Sequence, residues 1–511
     1  MSDLEPTGEA IEPIDPFVDQ PDEDFREEKA PVTMRGIVIV GARVATGAIG
    51  IAVAAVTVAA SALVPWPTVS STPASELVTP VPTAQQLVCA GPILRLSDDT
   101  GAGATQASAI GEPQIASDSS SGSVETTPLD QSDAGTGGTD AAPQVISTPP
   151  NAADPTERIL LSGAQSQDVS EGDFVGLAAA DCAVASADIW LAGGATTVGR
   201  TTLLTLNNPT EVPATVDLEL FGENGLITAP GTSGIVVPPS GQRVLSLAGF
   251  APEVESPVVH VTSAGGQVVA ELQQSTVRGL VAGGVEIVGP TQSPSLETVI
   301  PGMVIAGAAD IEENLGIGPG FEDLQTILRV YVPGELEADA TIRVIPEDGV
   351  GTGTSFDFTF DAGRVMDVPI PDLADGSYTV RVESELPLLA AARASAASGD
   401  STDFLWLPAA PTLADVAQVT VAPGPSPRLH LANPGTEPVT VSLAGSDGGE
   451  DSEVEVAAGA AVSVGVEPGA SYVLSGFGRL FASVTVVDGG MIAGYAVRPP
   501  GVGSSPILIY P

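Results

Sequence analysis

The chain has 511 residues, of which 43% are apolar and only 4% aromatic, and a formal net charge of −47. That length allows several domains of about 100–200 residues, with cores built from Val, Leu, Ile and Ala. The charge excludes a nucleic-acid partner, which needs clustered Lys and Arg against its phosphates, and the same repulsion excludes an anionic lipid surface. With 58 Gly and 45 Pro, the composition suits many short strands joined by tight turns.

Residues 1–33 are acidic and polar without a hydrophobic period, so they read as a disordered tail. Residues 36–64 then read as a membrane anchor. Within them Val44 to Leu63 carries no charge, and a helix of about 20 residues spans a bilayer core. Arg35 and Arg43 precede the apolar run and Trp66 follows it. The positive-inside preference therefore places the N-terminus in the cytoplasm and everything after the anchor outside. Ala60-Ser61-Ala62 offers a cleavage site for the competing signal-peptide reading, but the long preceding tail and the long apolar run favour an uncleaved anchor.

Residues 97–156 contain no Lys, Arg or aromatic residue and are rich in Ser, Thr, Gly, Pro, Ala and Asp. Such a stretch reads as a disordered insert, because it has little apolar surface with which to offset its ordering entropy. The rest repeats. Short apolar strands ending at Leu191, Ile300, Leu407 and Tyr510 mark a period of about 107 residues. They bound a truncated module at 85–191 and complete ones at 192–300, 301–407 and 408–511. Within them, Leu203–Pro209 and Leu429–Pro434 share an Asn-Pro turn, which Leu328–Gly334 replaces with Pro-Gly. Alternating strands follow, such as Ala214–Leu220, Ala340–Val344 and Val439–Leu443. About seven strands per period, with regular turn signals, predict an all-β protein of tandem immunoglobulin-like β-sandwiches. A propeller-like arrangement of the repeats is the alternative.

The acidic tail, single anchor, a Cys on each side of the insert, a Trp-Leu strand and Leu-x-Leu-x-Asn-Pro repeats together resemble an uncharacterised family of actinobacterial single-pass membrane proteins. The resemblance covers roughly residues 35–511 and implies no activity.

Catalytic chemistry is sparse in the sequence. His260 and His430 each sit in an alternating strand, where a satisfied or solvent-facing ring is the plainer reading than a general base. No nucleophile elbow, phosphate loop or zinc spacing occurs, so no cofactor and no metal are expected. The acidic runs Asp310–Glu313 and Asp447–Glu453 lack the alternating spacing of a calcium loop and read as solvated. Trp190 and Trp406 fall at equivalent positions of the repeat and read as core anchors, with sugar stacking as their functional alternative. Cys89 and Cys182, an even count beyond an anchor, predict a disulfide that ties the two halves of the first module. The expected function is thus non-catalytic: an envelope structural or interaction protein, with other envelope proteins or cell-wall glycan as partners. A glycan-binding protein is the second reading and a carboxylate enzyme the third.

Overall fold

The computed structural model describes residues 47–56, 84–96, 107–131, 142–151 and 159–501, apart from loop positions 319, 350–352, 447 and 449–450, with short strands also at 76–78, 134–135 and 507–509. Residues 47–56 are helical and exposed. The remainder of the expected anchor at 36–64 lies outside the described residues, as does the tail at 1–33. No described helix is long and apolar enough to cross a membrane.

Residues 77–509 form an all-β unit. Its first module contains β1 (Gln85–Cys89), β2 (Ile93–Leu96), β3 (Ala107–Ile110), β4 (Gln114–Ser119), β5 (Glu125–Pro128), β6 (Gln144–Thr148), β7 (Leu161–Glu171) and β8 (Phe174–Asp181). Strands β3 to β6 lie inside the segment 97–156 that composition assigned to a disordered insert, so that expectation is corrected for the described part of the segment. Ile110, Leu129, Val145 and Ile146 supply the burial that the stretch as a whole lacks.

The second module contains β9 (Asp188–Ala192), β10 (Arg200–Asn208), β11 (Ala214–Gly222), β12 (Gly225–Ile227), β13 (Ile235–Val237), β14 (Gly241–Ser246), β15 (Val258–Gly265), β16 (Val269–Arg278) and β17 (Val281–Val288). The third contains β18 (Ser295–Ile305), the helix α1 (Ala308–Leu315), β19 (Ile327–Tyr331), β20 (Ala338–Pro346), β21 (Thr354–Phe360), β22 (Val365–Pro369), β23 (Gly376–Ser398) and β24 (Ser401–Pro408). The fourth contains β25 (Leu413–Thr420), β26 (Arg428–Ala432), β27 (Val439–Gly445), β28 (Ser452–Val456), β29 (Ala461–Gly465), β30 (Ser471–Asp488) and β31 (Met491–Ala496).

One plan recurs in the last three modules. In the third, an outer sheet has the order β21-β20-β23-β18 and an inner sheet the order β22-β19-β23-β24. The 23-residue β23 serves both sheets: Tyr378 to Ser384 pair in the outer one, and Leu389 to Ser398 pair in the inner one. Pro387, which has no N–H to donate, lies at the crossing. In the fourth module β30 makes the same crossing between Leu480 and Phe481. In the second, the chain breaks instead into β15 and β16 at Gly265, whose φ is +85° and where a Cβ would lie 2.7 Å from the Pro213 carbonyl. This partition differs from the ABED/CFG arrangement of an immunoglobulin domain, so the modules are sandwiches of another topology.

The inner strands β8, β17, β24 and β31 pack against one another in cyclic order, giving a propeller-like ring. Core residues cross every junction. Val285 and Ile287 pack with Ala178 and Ala180, and Phe404 and Trp406 enter the second module's core. Ile492 enters the third module's core, and Leu177 and Ala179 enter the fourth's. An inner sheet covered on both faces needs no alternation, whereas a sheet with one wet face does. Outer β11 accordingly alternates buried and exposed residues over most of its length, while β8 and β24 are almost continuously buried. The Ala- and Gly-rich runs are thus the strands nearest the ring axis.

This geometry corrects part of the repeat alignment. Leu191 and Ile300 lie on first strands of their modules, whereas Leu407 lies on a last strand. Trp190 and Trp406 are therefore not equivalent. The Asn-Pro turns are equivalent, and their conservation of form has a physical cause. Asn208 Nδ2 donates to the carbonyls of Val212, Val237 and Pro238, and Asn433 Nδ2 donates to those of Glu437, Val456 and Ala457. Each buried amide fastens its own turn to the edge of the outer sheet.

Candidate functional site

Among the described residues, buried charge gathers at the ring axis, at a pocket between modules and at the His430–Glu347 pair. The first is the ring axis. The Asp403 carboxylate, fully buried at the start of β24, accepts N–H groups from Leu177, Val285, Phe404 and Ile492 at 2.9–3.2 Å. These four amides come from the four inner strands, so one side chain fastens every module. Burial pushes Asp403 well above the usual carboxylate range, against the pull of those amides. Nearby Glu286 is raised in the same way, chiefly by burial, and one of its oxygens has no partner. Neither oxygen of buried Glu271 has a partner, and burial followed by the charge of Asp181 pushes it up to about 8.

The second place is an open pocket of about 290 Å³ between the second and third modules, with Arg200, Asp323, Asp367 and Arg393 in its lining. Asp323 receives Arg200 at 3.0 Å and Arg278 at 2.9 Å. Asp367 receives Arg329 through two parallel bonds of 2.9 Å, the fork geometry that favours arginine. Burial alone would raise Asp367, but the Arg329 guanidinium, with the Ser256 hydroxyl and the charge of Arg393, holds the carboxyl below its ordinary range. Arg329 also donates to the Gly194 carbonyl at 2.8 Å and lies 4.3 Å from the Trp406 ring centre. The Arg393 guanidinium lies 5.6 Å from the same centre, and burial pushes its pKa down to about 10. On the exposed side, Glu322 is held low by the backbone amides of Glu322 itself and Gly320.

The residues singled out by sequence are scattered. Cys89 and Cys182 are disulfide-bonded, 93 residues apart, and stand in a small core with Leu87, Ile146 and Leu161. Trp406 is fully buried, with its Nε1 donating to Gln274 at 2.8 Å. It has no face to offer a sugar, which removes that reading for this residue. Half-buried Trp190 stacks on His260 with ring centres 4.0 Å apart and planes within 8°. His260 in turn lies 2.9 Å from Glu219 and 3.3 Å from Asp188.

Buried His430 is an inter-module fastener. Its Nδ1 faces Glu347 of the third module at 2.5 Å, and its Nε2 faces Thr485 at 2.7 Å. Burial would raise Glu347, yet His430, Thr379 and the Gly302 amide together hold it below its ordinary range. Asp310, Glu312 and Glu313 lie on α1. Of the other acidic run, Asp447, Gly449 and Glu450 lie outside the described residues.

Sequence reasoning missed Asp403, Arg329, Asp367 and Arg393. Their available signal was a lone charge beside or within an unbroken apolar run, as in Asp403-Phe404-Leu405-Trp406-Leu407 and Leu388-Leu389-Ala390-Ala391-Ala392-Arg393.

The fold and its charges define an all-β ring protein whose conspicuous buried ionic groups join modules. The chain belongs to a family of unknown function (DUF5719), whose model matches residues 135–467. No curated protein matches. A solved structure described as "Biofilm associated protein - BSP domain" is 11% identical, over 67% of this chain and 63% of its own length, with a TM-score of 0.09. The chain thus spans less than two thirds of that protein, and the likeness carries no argument about fold or function.

Proposed function

We propose that this protein is a non-catalytic structural or interaction component of the cell envelope, held by a single-pass anchor at residues 36–64 with the ring outside the membrane. The observation that carries this reading is the use of charge: Asp403, Asp323, Asp367 and Glu347 all fasten strands or modules together. A closed ring of this kind suits display and docking better than turnover. The Cys89–Cys182 bond suits an oxidising compartment. On this reading the protein is a membrane-anchored member of its family, and its partners are other envelope proteins.

The test is protease accessibility with a tag at each end, followed by cross-linking. Protease added to spheroplasts should remove the mass beyond residue 70 while sparing an N-terminal tag. Cross-linking before solubilisation should capture envelope proteins on the ring. Full protection of the C-terminal tag would place the ring on the other side of the membrane and overturn the proposal.

A further inference from the structure

Arg393 stands apart from the other arginines around the pocket between the second and third modules. Arg200 and Arg278 share Asp323, and Arg329 is paired with Asp367. Arg393 is 9% exposed, its Nε is shut away from solvent without a hydrogen-bond partner, its Nη2 reaches the Gln325 carbonyl at 3.3 Å, and the carboxylates Asp323 and Asp367 act on it through space without a direct ion pair. A buried charge-bearing donor without an acceptor is costly and is normally matched. The Arg393 side chain lines a cavity of about 290 Å³, just under the range of about 300–1,000 Å³ for small-molecule sites, and a ligand there meets its outer guanidinium nitrogens rather than the sealed Nε.

We propose that this pocket binds a small monocarboxylate, whose anionic head is taken by the Arg393 guanidinium. A carboxylate matches the planar fork of arginine, and Trp406 beneath the guanidinium limits the directions in which the fork points. The rest of the lining sets the far end of the ligand. Glu255 and Glu322 are its exposed acids, and Thr197 and Gln325 are further polar members. Those acids repel a second negative charge and favour a hydroxyl or ammonium group. Dicarboxylates and phosphate are therefore poor ligands. A short hydroxy acid and a free amino acid share the favoured chemistry. This inference does not depend on the envelope role.

Titration calorimetry on the intact, folded protein tests it with lactate, alanine, succinate and phosphate as probes. Lactate or alanine should bind saturably, with succinate and phosphate at least tenfold weaker. Alanine binding tighter than lactate would identify the ammonium form, and the reverse order the hydroxyl form. Arg393→Gln should weaken binding at least tenfold. Glu322→Gln, an exposed change that leaves the fold intact, should weaken alanine more than lactate and serves as the second variant if Arg393→Gln fails to fold. The proposal is overturned if wild-type protein binds neither monocarboxylate, if folded Arg393→Gln binds them unchanged, or if succinate or phosphate binds best.

Discussion

Unfolding followed across pH should show the protein gaining stability as pH falls from 8 toward 5. Glu271 governs the slope, because burial holds its folded pKa at about 8, against an ordinary value of 4.5. Below 4.5 both the folded and unfolded chains carry the proton, and the full stabilisation is present. Between 4.5 and 8 the unfolded chain releases a proton that the folded chain keeps, so stability falls as pH rises and levels off above 8. At about 1.4 kcal/mol per pH unit, this one group contributes roughly 5 kcal/mol across that window. Glu286 and Asp403 are shifted in the same direction and add to the slope. Glu347 and Asp367 are shifted the other way, so their contribution is lost below the ordinary carboxylate range. The optimum therefore falls near pH 5. Glu271→Gln should flatten the slope between pH 5 and 8 in denaturant melts. Wild-type stability that increases from pH 5 to 8 would contradict the assignment.

The second large effect is expected from the disulfide. Cys89 and Cys182 close a loop of 93 residues, and the chain-entropy model gives about 4–5 kcal/mol for a loop of that size. Taken alone, the repeat pattern predicts that Cys89→Ser loosens the first module and leaves the last two folded. The ring changes that outcome, since Leu177 and Ala179 of the first module belong to the core of the fourth. Cys89→Ser should thus lower the unfolding midpoint of the whole ring in one transition, as read by near-ultraviolet circular dichroism and tryptophan fluorescence together. Separate transitions, with the fourth module unaffected, would show the ring to be open in solution.

The all-β class and the positions of most outer strands were legible in the sequence because those strands have one wet face. The alternation in Ala214–Leu220 and Val439–Leu443 is the direct record of that exposure. Ring closure was legible only as the alternative, a propeller-like arrangement of the repeats, because nothing in the inner strands themselves selects it. Inner strands covered on both faces lose the alternation, so Phe174–Ala178 and Val268–Leu272 look alike although one is a last strand and the other the strand before it. The first module was misread for a related reason. Its strands β3 to β6 are short and rich in Ser, Thr and Ala, and part of their order comes from neighbours: Leu129 packs with Val269 of the second module, for example. The pocket was hidden because its residues come from segments more than a hundred positions apart, such as Arg200 on a strand and Asp323 in a short helical turn. The disulfide was legible because a chain with two cysteines leaves a single possible intramolecular pairing.

The closed ring is the claim on which the rest depends, and hydrogen exchange at four amides tests it most directly. Leu177, Val285, Phe404 and Ile492 belong to four different modules, yet all donate to Asp403. In the wild type their exchange should be slow and of similar protection, because opening any one requires breaking the shared core. In folded Asp403→Ala all four should accelerate together, by at least tenfold. Acceleration confined to Phe404, with the other three amides unchanged, would contradict the ring.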